Sequence, residues 1–160
     1  MPGPDEQPVI VGIGEFHAGK NPMSSIGLGS CIGLVIFDRE KPIGALAHIM
    51  LPDSQGRAER PAKYADTAVI HLVKELNKLG CRTPSLAAKI CGGASMFQAF
   101  SGNLNIGERN VEAVRVHLKK LSLSIVAEEV GGTVGRTIVY NPAENGKISV
   151  KTADGTRKII

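Results

Sequence analysis

The chain has no tryptophan, and only two tyrosines and four phenylalanines in 160 residues. Aromatic platforms on which nucleic-acid bases could stack are therefore scarce. The 19 lysines and arginines are interleaved with 15 acids rather than gathered into a basic run, so nucleic-acid binding has no support. Cysteine is equally sparse. Cys31, Cys81 and Cys91 are an odd number, fifty and ten residues apart and with no CxxC pair, which does not make a disulfide framework and fits reduced thiols in a cytosol. The four histidines, His17, His48, His71 and His117, show no metal-ligand spacing, so a metal site is not expected. No apolar run reaches the roughly 20 residues that cross a bilayer. The opening MPGPDEQP lacks a basic segment followed by an apolar one. The expectation is a cytoplasmic protein with no direct membrane insertion.

What remains is the composition of an ordinary globular domain, 42% hydrophobic and 21% charged, with a formal charge of +4. That mild positive charge suits an acidic protein partner. Residues 1–8 read as a disordered lead, and 9–160 as a single domain. "VIVGIGEFHAG" (9–19) reads as one short strand, and the glycine-broken "SIGLGS" (25–30) as a loop. "CIGLVIFD" (31–38) and "IGALAHIML" (43–51) are near-continuous apolar runs joined by a short polar link, the pattern of a buried hairpin. "AKYADTAVIHLVKELNKLG" (62–80) repeats its apolar residues at helical spacing, with Gly80 placed to cap it. A second amphipathic helix lies within 105–123, after the strand "LAAKICGG" (86–93). "SIVAEEV" is a further strand, and Asn145-Gly146 marks the turn of a closing hairpin. Strands, helix, strand, helix, strands give an α/β fold: mixed β-sheets with two main helices packed on them.

Chemistry concentrates at Cys31. A nucleophilic cysteine needs a depressed pKa or an adjacent base, and histidine is the natural base near neutrality. Pairing 31–38 antiparallel with 43–50 across the short link makes partner numbers sum to about 81. His48 then falls opposite Gly33, on the face it shares with Cys31 and as a diagonal neighbour. The glycines of "GLGS" let the amides of Gly29, Ser30 and Cys31 approach a substrate and face an oxyanion. Read from the residues alone, two alternatives stand level: a cysteine–histidine site, or a packed sulfur beside a core histidine. Ser25 and Ser30 read either as orienting hydroxyls or as turn formers. Cys81 and Cys91 have no comparable neighbour and read as structural, while Asp53 and Asp66 are acids without a fixed place.

In order along the chain stand "GLGSCIGLVIFD", "GALAHIMLPDS", "KYADTAV", "KICGGASMF", "NIGERNVEAV" and "GGTVGR". Together they resemble the CheD family, the chemoreceptor glutamine deamidases of bacterial and archaeal chemotaxis, over residues 9 to 150. The resemblance implies an α/β layered sandwich and a catalytic cysteine and histidine at Cys31 and His48. At the family's third catalytic position, usually threonine, this chain has Ser25. It implies a thioester mechanism without cofactor, with amides near Gly29 and Ser30 at the oxyanion, acting on chemoreceptor cytoplasmic helices, and a CheC-type phosphatase as a further partner. Two other readings are weighed beside it: a non-catalytic adaptor that docks such a phosphatase or a receptor, and another cysteine amidase or protease.

Overall fold

The computed structural model describes residues 7–57, 59–95 and 105–160. Most of the expected N-terminal lead, and Met96 and Phe97 of the GGASMF block, lie outside these. Among the described residues ten strands form two five-stranded sheets. One runs in the order β1 (Val9–Ile10), β3 (Met23–Leu28), β8 (Arg136–Tyr140), β9 (Ile148–Thr152), β10 (Arg157–Ile159). The other runs β2 (Phe16–Gly19), β5 (Gly44–Ile49), β4 (Ile32–Asp38), β6 (Leu86–Gly92), β7 (Ser124–Val130). Each is mixed: β1 runs parallel to β3 and β6 parallel to β7, while the other pairs are antiparallel. Helices α1 (Ala65–Lys78) and α2 (Ile106–Lys120) cover one face of the second sheet. The molecule is thus three layers, sheet on sheet on helices, the α/β architecture read from the sequence. Among the described residues no helix is long and apolar enough to cross a membrane.

The layering explains the unbroken apolar character of β4, every residue of which is buried. Ile32, Leu34 and Ile36 join the core beneath the helices, whereas Val35 and Phe37 join the core between the sheets. A strand covered on both faces has no polar side to alternate with. The β4–β5 hairpin has the expected register, with Gly33 opposite His48 and Phe37 opposite Gly44. The Asp38 carboxylate accepts the amides of Glu40 and Lys41 and so closes the link. Just past the end of α1, Gly80 (φ +91°) turns the chain, with the Gly80 and Cys81 amides returning to the Asn77 and Leu76 carbonyls.

Three expectations are corrected. The stretch 9–19 is two strands, β1 and β2, in different sheets, because Gly14 in the left-handed region (φ +76°) lets the chain cross between layers. Residues 25–28 are not loop but the end of β3. Gly27 (φ +67°) supplies a bulge between Ser25 and Leu28, which keeps both facing inward. Strand β4 starts at Ile32, so Cys31 lies just before it, where the chain passes from one sheet to the other. The sequence also held a strand that was not expected, β10, which pairs with β9.

Candidate active site

Cys31, half-buried, sits at the crossover from β3 to β4. The two residues before it and Cys31 itself are held by their carbonyls. Gly29 O accepts the Ala94 amide at 2.9 Å, Cys31 O accepts the Gly93 amide at 2.9 Å, and Ser30 O accepts Asn110 Nδ2 at 2.9 Å. The amides of Gly29, Ser30 and Cys31 meanwhile donate to no acceptor among the described residues. In a trans peptide the N–H points opposite the preceding carbonyl. Tying Gly29 O and Ser30 O into the protein therefore aims the Ser30 and Cys31 amides away from it.

Two glycine motifs make this clamp possible. Gly92 has φ +106°, and a Cβ there would overlap the Cys31 carbonyl oxygen. At Gly107, in the first turn of α2, a Cβ would overlap Ala94 O and lie 2.6 Å from Gly93 O. The bare backbone of "CGGA" thus lies directly against both the cysteine and the start of α2, where Asn105 caps the helix by accepting the Glu108 amide.

His48 is 4% exposed and lies on the inter-sheet face of β5. Its cross-strand partner Gly33 has no side chain to separate it from the Cys31 end of β4. A Cβ at Gly33 would lie 2.7 Å from Ile138 Cδ1 of the facing sheet. His48 Nδ1 is 3.1 Å from the Val11 carbonyl oxygen. A carbonyl only accepts, so Nδ1 carries the proton and Nε2 keeps its lone pair. Ser25, fully buried, donates from Oγ to the same Val11 oxygen at 2.8 Å. Serine and histidine are therefore joined through one shared acceptor rather than to each other. Val11, just past β1, is the residue that sequence reasoning missed. Its contribution is a backbone carbonyl, which leaves no side-chain signature.

Burial sets the protonation states. It raises the Cys31 thiol above its ordinary 9.0 and lowers His48 below 6.5, against smaller opposing effects of the Val11 bond and the Glu15 charge. The resting pair is a neutral thiol and a neutral imidazole, with no hydrogen bond between them. Of the two ways to activate a cysteine, the site offers the base rather than a preformed thiolate.

The other candidates carry no matching chemistry, although Cys91 is the cross-strand partner of Gly33 on its other side. Cys91 is fully buried and pushed up to about 12, and Cys81 is buried and pushed up to about 11 by burial and by Asp38. Asp66 accepts the Ser54 amide and hydroxyl at 3.0 and 2.7 Å, and Asp53 accepts the Gln55 amide, so both serve loop geometry. Among the described residues, no group of three or more His, Cys, Asp or Glu is placed to hold a metal ion.

Comparison with known proteins adds to this geometry. The family model described as "CheD chemotactic sensory transduction" matches residues 50–152. The "Chemoreceptor glutamine deamidase CheD" of Thermotoga maritima is 47% identical over 152 residues, which is 94% of this chain and 95% of that protein. The "Probable chemoreceptor glutamine deamidase CheD" of Clostridium botulinum strain Hall is 46% identical over 163 aligned positions, 97% of this chain and 99% of that protein.

Proposed function

The chain belongs to the CheD family, and on that premise we propose that it is a protein-glutamine deamidase of chemoreceptors, with Cys31 as nucleophile and His48 as base and acid. The observation that carries this reading is the placement of one ionisable pair beside a row of free amides. Gly33 opposite His48 puts the imidazole on the inter-sheet face, Cys31 packs against the core on that same side, and the amides of the clamp at 29–31 are left unpaired; these support the pairing of Cys31 with His48.

The chemistry follows from the neutral resting pair. As a glutamine side chain arrives, His48 Nε2 takes the Cys31 proton while sulfur attacks the carboxamide carbon. The carbonyl oxygen gains the negative charge and meets the amides of Gly29, Ser30 and Cys31. Each such donor contributes roughly 100- to 1,000-fold in rate. The imidazolium then gives its proton to the departing nitrogen, ammonia leaves, and a thioester remains on sulfur. His48 next takes a proton from water, hydroxide attacks the thioester carbon, and sulfur leaves and regains a proton. The product is glutamate. Ser25 holds the Val11 carbonyl, which in turn holds the imidazole.

The net charge of +4 suits an acidic receptor helix, and action on a receptor's cytoplasmic region implies a cytoplasmic enzyme. The family resemblance adds a CheC-type phosphatase that occupies the deamidase through a receptor-like helix.

Incubation with a receptor cytoplasmic fragment tests the reading. The expected result is ammonia release and a one-dalton gain at specific glutamines, abolished in Cys31→Ala. Peptide-bond cleavage would point instead to a protease. No mass change, with intact phosphatase binding by Cys31→Ala, would point to an adaptor.

A further inference from the structure

Helix α2 buries a stripe of Gly107, Asn110, Val111, Val114 and Leu118, and the one polar member has no exposed surface at all. Asn110 Nδ2 donates both its hydrogens, to Ser30 O at 2.9 Å and to Met50 O at 3.0 Å. Ser30 immediately precedes Cys31, and Met50 follows His48 by two residues. A single side-chain amide thus bridges the loop of the nucleophile and the strand end of the base, from a helix distant from both in sequence. Its other atom, Oδ1, has no partner.

That imbalance argues against a purely structural role. A buried acceptor left unpaired carries its full desolvation penalty, which an apolar residue on the stripe would avoid. The flipped amide is ruled out, since it would set Oδ1 against two carbonyl lone pairs. The geometry is fixed by the two donated bonds.

Resting on the deamidase reading of Cys31 and His48, we propose that Asn110 is a positioning residue of the reaction. It fixes the spacing between thiol and imidazole. It also aims the Cys31 amide at the developing oxyanion, by holding the Ser30 carbonyl on the opposite side of the same peptide.

The test uses the full chain with Asn110→Leu and Asn110→Ser, whose hydroxyl can serve one carbonyl at a time. Iodoacetamide alkylation of Cys31, read by peptide mapping across the pH range, reports imidazole assistance without any receptor. Steady-state deamidation of a receptor fragment gives kcat and KM. In wild type, alkylation is expected to rise through an acid-range inflection that His48→Ala removes. Asn110→Leu is expected to lose that inflection and to lower kcat by up to roughly 100-fold with KM little changed. Asn110→Ser should fall between, and it carries the test if the leucine variant does not fold. In the His48→Ala background, Asn110→Leu should leave the alkylation profile unchanged. A folded variant with the wild-type inflection and wild-type kcat would overturn the proposal. If wild type deamidates nothing, the functional reading falls, but the alkylation profiles still decide whether Asn110 positions the pair.

Discussion

Replacing Gly92 with alanine sets a methyl group onto the carbonyl oxygen of Cys31, and also 3.3 Å from its carbonyl carbon and 3.4 Å from Ile32 Cα. The neighbours are backbone, so no side chain can rotate away. Two costs add. Alanine at φ +106° is strained by about 1–2 kcal/mol, and relieving the overlap by moving a packed loop costs about 1–3 kcal/mol. The sum, about 2–5 kcal/mol, corresponds to a fall in Tm of roughly 4–20 °C for a domain of this size. The loop that moves is the one carrying Cys31, the proposed nucleophile, and a displacement of about 1 Å costs around 100-fold in rate. Gly155→Ala is the control, since Gly155 has φ +94° but nothing within 4 Å of an added Cβ. It should show the strain alone, with deamidation unchanged. Calorimetry measures the first effect, and deamidation together with Cys31 alkylation at a temperature where both variants are folded measures the second. Equal activity in the two variants would refute the claim that Gly92 shapes the cysteine loop.

The pH profile of kcat/KM should rise through a pKa below 6.5 and be flat through neutrality, because His48 must be unprotonated and burial favours that form; an acid limb centred above 6.5 would contradict it. Ser25→Ala removes the buried hydroxyl but leaves the Val11–His48 bond, so it should cost about 1 kcal/mol of stability in denaturant titrations and lower kcat far less than His48→Ala does. A loss as large as that of His48→Ala would show that the hydroxyl acts directly. Tyr140→Phe removes a buried hydroxyl that has no partner, and should raise stability by about 1 kcal/mol; a lower Tm would show that the hydroxyl is satisfied.

The hairpin that sets Gly33 opposite His48 was legible because a short link leaves few registers, and a one-residue slip would turn every side chain to the wrong face. The two helices were legible from their apolar stripes. Residues 25–28 were misread because glycine normally weakens a strand, whereas here Gly27 serves a bulge that returns Leu28 to the interior. The division of 9–19 between two sheets depends on which layer covers which, and no local pattern encodes that. At the candidate site, Cys31, His48 and Ser25 carry chemistry-bearing side chains and could be named. The Val11 carbonyl and the Asn110 bridge could not, since one is backbone and the other acts across eighty residues of sequence.

The central claim is that Cys31 forms a thioester with the glutamine side chain, assisted by His48. Rapid acid quench of enzyme mixed with a receptor fragment, followed by mass mapping, tests it most directly. The expected result is a covalent adduct on the Cys31 peptide equal to enzyme plus substrate less ammonia, formed in wild type and absent in Cys31→Ala, with its formation slowed in His48→Ala. Deamidation at the wild-type rate by Cys31→Ala, or an adduct on Cys81 or Cys91, would contradict the account.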